Sequence, residues 1–241
     1  MPQMTTALIF AGGTGQRMNT TAKPKQFLEL YGKPIIIYTI EHFELHSGID
    51  NIIVVCIEGW IRKLRHQIRL YGCEKVSQVI PGGSSGHESI YKGLHALNSV
   101  CGEDDVVLIH DGVRPLINAD LISANIACAK KFGASITIEA ASESIVRLGG
   151  DGRVAQVPPR AEMYLAKAPQ SFRYGLIWGL YQRAIEDGIF IVDSAHLCSA
   201  YGVEAHTVES TPNNIKITTP ADYYIFRALY EAMENQQIIG L

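Results

Sequence analysis

The sequence predicts an α/β fold: a mostly parallel, twisted sheet flanked by helices, with a protruding β-arm. Three observations predict it. Short, uniformly apolar, β-branched runs recur along the chain, as strands buried on both faces require. Segments with helical apolar spacing separate them, the alternation that builds parallel sheets. That alternation breaks once, over residues 141–166, where the chain turns polar and rich in turn residues.

Residues 7–10 read as the first strand and 11–15 as a Gly-rich turn. Pro34 opens a helix to about His46, with Ile36, Ile37, Ile40 and Phe43 at helical spacing. A second strand spans 51–57, and a helix with Arg and Lys on its wet face spans 60–70. The third strand, 76–80, leads through Pro81-Gly82-Gly83 into a helix over 87–97. Residues 105–109 form the fourth strand, 119–132 a helix and 135–140 the fifth strand. Gly149-Gly150-Asp151-Gly152 and Pro158-Pro159, beside alternating pieces such as 144–148, mark 141–166 as a β-hairpin arm. Helices at 174–187 and 193–201, strands at 205–208 and 215–218, and a closing helix at 220–234 complete the order. No internal repeat or linker interrupts it, so residues 1–241 read as one domain with an excursion.

Composition narrows the function. The chain is 47% hydrophobic and 19% charged, enough to bury a core and too apolar for disorder. With 21 Lys and Arg against 24 Asp and Glu, the net charge of -3 lacks the basic excess that sequence-blind nucleic-acid binding needs. Any anion site must be built locally. No apolar run approaches the roughly 18 residues that span a bilayer, and the first residues lack the order of a secretory leader. Five scattered cysteines without CxxC spacing argue against zinc and disulfide frameworks and for a reduced, cytoplasmic setting.

The first strand runs into Ala11-Gly12-Gly13-Thr14-Gly15-Gln16-Arg17-Met18. Glycines there let backbone N–H groups meet an anion without interference from Cβ. Neither the P-loop nor the dinucleotide pattern is satisfied, since Arg17 and Met18 stand where those patterns need other residues. Arg17, Lys23 and Lys25, on a segment stiffened by Pro24, make the turn a candidate polyphosphate cradle. The fourth strand ends in His110-Asp111-Gly112-Val113-Arg114-Pro115, placing Asp111 at the carboxyl edge of a buried strand. A carboxylate there needs a partner: either Arg114, or a Mg²⁺ facing the cradled phosphates. His110 reads as a packed histidine, and Asp104 and Asp105 as solvated. Arg160 and Lys216, the latter within the expected strand 215–218, join Arg17 and Lys25 as a pocket suited to a phosphorylated substrate.

A rival chemistry is present. Gly82-Gly83-Ser84-Ser85-Gly86 satisfies GxSxG between a strand and a helix, and Asp193 and His206 follow in hydrolase order. A serine hydrolase using Ser84 would leave the cations unexplained. A catalytically silent nucleotide sensor is the third class.

Phe10 through Met18, Pro24-Lys25-Gln26-Phe27-Leu28, Gly82-Gly83 with Ser89, His110 through Pro115, Ala168-Pro169-Gln170-Ser171-Phe172 and Asn214-Ile215-Lys216-Ile217-Thr218 stand in one order along nearly the whole chain. Together they resemble the IspD/TarI group of cytidylyltransferases. The resemblance implies a Rossmann-like nucleotidyltransferase sheet, CMP transfer from CTP to an alditol phosphate with release of pyrophosphate, a Mg²⁺ cofactor, and a homodimer interlocked through the arm. The acceptors in the group are D-ribitol 5-phosphate, for wall or capsule polymers, and 2-C-methyl-D-erythritol 4-phosphate, for isoprenoids. Ile138-Glu139-Ala140 and Arg160-Ala161-Glu162-Met163-Tyr164 resemble the ribitol branch.

The same resemblance implies residue roles. Arg17, Lys25, Arg160 and Lys216 are the expected catalytic residues. Phe10, Ala11, Gly12, Gly13, Gly82, Gly83, Ser89 and Gly112 form the CTP site, and Asp111 binds the metal. Arg114, Ser144, Arg160 and Lys216 bind the acceptor, with Arg160 serving its own or a partner subunit. Three positions depart from the pattern: Gly86-His87 where a basic residue is usual, Ala168 where Thr precedes Pro-Gln, and Ser144 where Thr is typical.

Overall fold

The computed structural model describes residues 3–13, 23–189 and 193–239. In chain order the first elements are β1 (Thr5–Ala11), a small ladder of β2 (Glu29–Leu30) and β3 (Lys33–Pro34), α1 (Ile35–Glu44) and β4 (Asn51–Cys56). Next come α2 (Ile61–Leu70), β5 (Val76–Pro81), α3 (Gly86–Leu97), β6 (Val106–Asp111), α4 (Ala119–Phe132) and β7 (Ala134–Ala140). The second half holds β8 (Arg147–Leu148), β9 (Val154–Gln156), β10 (Tyr164–Arg173), α5 (Tyr174–Glu186), α6 (Ser194–Ala200), β11 (His206–Glu209) and α7 (Pro220–Ile239). Among the described residues, no helix is long and apolar enough to cross a membrane.

The central sheet has the order β11-β7-β10-β6-β1-β4-β5. Within it β1 pairs in parallel with β4 and β6, β4 with β5, and β11 with β7, while β10 runs antiparallel between β6 and β7. The strands are apolar on both sides because helices cover both faces. Ala7, Ile9 and Val54 pack with Ile36, Ile40, Phe43, Leu64 and Ile122 on one face. Leu8, Val55 and Val107 pack with Ile90, Leu94, Ile177 and Tyr181 on the other. The expected arm is present: β8 and β9 pair antiparallel across the Gly149–Gly152 turn, and residues 142–148 are exposed.

Two expectations need correction. Residues 215–218 are not a strand; they pass the sheet as irregular chain, with the Ile217 amide donating to the Val113 carbonyl at 3.0 Å. The antiparallel strand β10 was not expected, because Lys167, Pro169, Gln170 and Ser171 interrupt its apolar pattern. Its polar side chains find partners on neighbouring elements: Gln170 accepts from the Ala195 amide at 3.1 Å, and Ser171 meets Asn125. Asn125 of α4, fully buried, donates through Nδ2 to Leu121 O and Thr137 Oγ1, both at 3.0 Å. Its Oδ1 accepts from Ser135 at 3.1 Å and Ser171 at 3.3 Å, and the Thr137 hydroxyl donates to the Pro169 carbonyl at 2.6 Å. One amide thus ties α4, β7 and β10 together.

Replacing Asn125 with Leu removes the acceptor of the buried Ser135 and Ser171 hydroxyls and one donor to Thr137. The variant should lose about 3 kcal/mol of stability, measured by urea unfolding. A loss below about 0.5 kcal/mol would mean that the network is dispensable.

Candidate active site

From β1 the chain winds outward through β4 and β5, then returns to β6 on the other side of β1. Such a reversal opens a crevice beyond the carboxyl ends of the two central strands. Two adjoining cavities occupy it. The first, about 410 Å³, is walled by Gly12 and Gly13, Gly83 to Gly86, Lys25, Asp111 and Lys216. The second, about 270 Å³, shares Phe10, Gly86, Asp111 and Lys216 and extends past Arg114, Ala166 to Ala168, Gln170 and Asp193. A larger groove of about 1080 Å³ lies at the opposite end of the strands, but Asp50, Glu103, Asp104 and Asp105 line it, which disfavours a polyanion.

The glycines of the first cavity serve close approach. A Cβ on Gly12 would stand 3.0 Å from Ser89 Oγ, and one on Gly82 would stand 3.1 Å from the same atom and 3.4 Å from the Gly12 Cα. The two Gly-rich turns abut because neither carries a side chain at the contact. Ser89 Oγ fastens the second turn, accepting from the Gly83 amide at 3.0 Å and donating to the Ser85 carbonyl at 2.8 Å. Buried Gln26, to which the sequence reading gave no role, fastens the first turn by donating to the Ala11 carbonyl at 2.6 Å and that of Gly13 at 3.3 Å. Gly112 leaves room for Ile36, whose Cδ1 would lie 2.5 Å from a Cβ there.

At the junction of the cavities stands Asp111. Arg114 Nε donates to its Oδ2 at 2.8 Å and Lys216 Nζ lies 2.5 Å from Oδ1. Burial opposes ionisation of this carboxyl, but the Lys216 and Arg114 charges outweigh it and hold the pKa down at about 2. Arg114 is itself buried and also donates to the Asn214 carbonyl at 3.1 Å. The anticipated Asp111–Arg114 pair is therefore real, and Lys216 completes it from irregular chain rather than from a strand. His110 is packed as expected: fully buried against Phe43, with burial lowering its pKa to about 3.

Other expected site residues fall differently. Phe10, Ala11, Gly12, Gly13, Gly83, Ser89, Lys25 and Lys216 line the first cavity, with Gly82 at its edge against Gly12. Arg17 lies outside the described residues. Lys23 is not among the residues that line either cavity, and its ammonium pairs with Glu29 at 2.6 Å. Arg160 and Ser144 sit exposed on the arm, where the Arg160 guanidinium donates to the Ser142 carbonyl at 3.4 Å. Asp105 is not simply solvated; it accepts from the amides of Met4 at 2.7 Å and Gly102 at 2.8 Å.

The hydrolase arrangement does not assemble. Ser84 Oγ donates to Glu88 at 2.7 Å. Asp193 caps α6 by accepting from the His196 amide at 2.8 Å. His206 opens β11 opposite Ser135, at the far edge of the sheet, and stacks on Phe132.

Comparison with known proteins agrees with this geometry. The family described as IspD, 2-C-methyl-D-erythritol 4-phosphate cytidylyltransferase, matches residues 5–232. A ribitol-5-phosphate cytidylyltransferase of Streptococcus agalactiae serotype Ia is 45% identical over 239 residues, 99% of this chain and 100% of that protein. A protein of the same description from Vibrio parahaemolyticus is 46% identical over 238 residues, 98% and 100% of the two chains. The crystal structure of 4-diphosphocytidyl-2C-methyl-D-erythritol synthase from Anaerococcus prevotii superposes with a TM-score of 0.83 at 25% identity, covering 95% of this chain and 96% of that one.

The buried and half-exposed partners of the central cluster should separate in mutagenesis. Asp111→Asn strands a buried guanidinium and should cost about 3 kcal/mol of stability. Lys216→Met removes a more exposed charge, should cost at most about 1 kcal/mol, and should still abolish most turnover. Unfolding and activity measured on the same preparations decide it; a Lys216→Met enzyme of normal turnover would remove that residue from the site.

Proposed function

The chain belongs to the IspD family of cytidylyltransferases, and we propose that it transfers CMP from CTP to D-ribitol 5-phosphate, giving CDP-ribitol and pyrophosphate for wall or capsule polymers. The observation that carries the reading is the pair of cavities meeting at Asp111 and Lys216. One accommodates a triphosphate between abutting glycine turns and Lys25. The other holds a second anionic reactant beside Lys216. The ribitol acceptor is favoured over 2-C-methyl-D-erythritol 4-phosphate by the 45% and 46% identity, over nearly the full chain, to relatives that carry the ribitol name.

A phosphate oxygen of the acceptor attacks the α-phosphorus of CTP in line, and the bond to the bridging oxygen of pyrophosphate breaks. A phosphate monoester has a second pKa near 6, so the nucleophile is already anionic and no side chain must deprotonate it. The protein's task is to position reactants and offset charge. Lys25, with Arg17, offsets the developing charge on the triphosphate. Lys216, at the junction, faces the incoming phosphate, and Asp111 keeps it there.

The donor set at Asp111 also suits Mg²⁺. Both carboxylate oxygens retain lone pairs beside Arg114 and Lys216, and Mg²⁺ takes one or two carboxylates with phosphate oxygens and water completing its shell. No group of three His, Cys, Asp or Glu side chains among the described residues is placed to hold a metal ion, so the phosphates would supply the remaining ligands. Bound there, the ion would neutralise phosphate charge.

Ser144 and Arg160 enter the reading through the arm. Val146, Leu148, Val154 and Val157 expose about half or more of their surface on it. Apolar side chains so placed suit packing against a second copy of the chain, which would carry Arg160 into the partner's site. Free thiols at all five cysteines suit a cytoplasmic enzyme.

Pyrophosphate release should be tested with CTP and each acceptor in parallel. Ribitol 5-phosphate should be turned over in preference to methylerythritol phosphate; the reverse order would overturn the acceptor, and silence with both would overturn the activity. The trans arrangement has its own test. Lys25→Ala and Arg160→Ala subunits, each inactive alone, should regain about a quarter of wild-type activity when mixed and exchanged, because half of the dimers then hold one intact site. No recovery despite subunit exchange would place Arg160 in its own subunit's site.

A further inference from the structure

The second cavity contains a cation to which no role has been given. Lys167 stands in β10 between Ala166 and Gln170, where the register with β7 shifts. Its side chain is only 16% exposed, and its Nζ lies 2.7 Å from Glu139 Oε2 on β7. The carbonyls that follow it are tied: Asn214 Nδ2 donates to Ala168 O at 2.7 Å and Thr137 to Pro169 O at 2.6 Å. The backbone that carries Lys167 is thus fixed, and its ammonium is held by a partner on the neighbouring strand.

Position decides what this ammonium can meet. Lys216 borders both cavities, whereas Lys167 borders only the second. The acceptor's phosphate must reach the α-phosphorus at the junction. A group that arrives at Lys167 therefore belongs to the remainder of the acceptor, its hydroxylated carbon chain. An ammonium carries three donors, of which Glu139 takes one. Asp193, a carboxylate acceptor, lines the same cavity. Ala168, next in sequence, brings no hydroxyl of its own, so the side-chain donors of this stretch that border the cavity are Lys167 and the Gln170 amide, and of the two only Lys167 is charged.

We propose that Lys167, oriented by Glu139, binds the hydroxyls of the acceptor's polyol chain and so selects an unbranched polyol phosphate. The proposal rests on the alditol phosphate reading above. A methyl branch placed against the ammonium would strip it of water without returning a hydrogen bond, which is how a polar pocket rejects a less polar analogue.

The test uses the full-length enzyme, with Lys167→Met, Lys167→Gln and Glu139→Gln, assayed by pyrophosphate release against both acceptors. In Lys167→Met the KM for ribitol 5-phosphate should rise about tenfold, the value of one hydrogen bond to a charged group. The preference for ribitol 5-phosphate over methylerythritol phosphate should fall by about the same factor, while kcat and the KM for CTP stay within about twofold. Lys167→Gln, which keeps a donor, and Glu139→Gln, which frees the ammonium, should fall between. An unchanged acceptor KM and preference, or a loss confined to kcat, would overturn the proposal and leave the cytidylyltransferase reading standing. Should Lys167→Met fail to bind CTP by calorimetry, the other two variants decide in the same way. Wild-type enzyme that ignores ribitol 5-phosphate overturns the acceptor assignment and this proposal with it, before any variant is made.

Discussion

One buried carboxylate organises the site. Asp111 ends a central strand, where an unpaired charge would be costly, and each of its two oxygens meets one cation, Oδ2 that of Arg114 and Oδ1 that of Lys216. This moors irregular chain at 214–217 to the sheet, since Arg114 also holds the Asn214 carbonyl and Ile217 holds that of Val113. It also fixes the Lys216 ammonium where two cavities meet. One carboxylate against two cations leaves an excess positive charge at that point. A chain of net charge -3 can therefore present an attractive field to a polyanion at this place, through local arrangement rather than bulk composition.

Much of the fold was legible because buried parallel strands must be apolar along their whole length. β1, β4, β5, β6 and β7 stand close to where their apolar runs place them, and the arm was visible as the one polar interruption. β10 was not legible, because its apolar content is broken by groups whose partners lie elsewhere in sequence: Ser171 needs Asn125, 46 residues away. The misplaced strand at 215–218 has the converse cause. Ile215 and Ile217 alternate with polar residues as a strand's would, yet Ile217 is buried in a cluster with Ile35, Tyr38 and Phe226 of two helices, not on the sheet. Local alternation records that one side is buried and says nothing about what buries it.

The site shows the same division. The glycine turns and Asp111 were legible since each stands at a strand end, where backbone freedom or charge needs a reason. Gln26 carries no such signal, because its task is to hold two carbonyls rather than to meet a ligand. Lys167 was passed over because a lysine beside an Ala-Pro pair reads as a surface charge; only the pairing of β7 with β10 sets it beside Glu139. Nearness in sequence to Lys25 likewise did not reveal that the Lys23 ammonium meets the carboxylate of Glu29.

The contest between two chemistries for the Gly82–Gly86 turn is resolved by what surrounds it. In a nucleophile elbow, glycines allow a strained turn that projects a serine toward a base. Here they let two turns approach until their backbones touch, and Ser89, not Ser84, fills the seam. The Ser84 hydroxyl is committed to Glu88, whose carboxylate the same contacts hold near a pKa of 2. The cations of the cavities are three lysines and an arginine: Lys25, Lys167, Lys216 and Arg114. The site meets a ligand with cations and bare backbone N–H groups rather than with a serine and its base. Such a site suits a reaction between two phosphates, in which the nucleophile arrives ionised and the barrier is the repulsion of like charges.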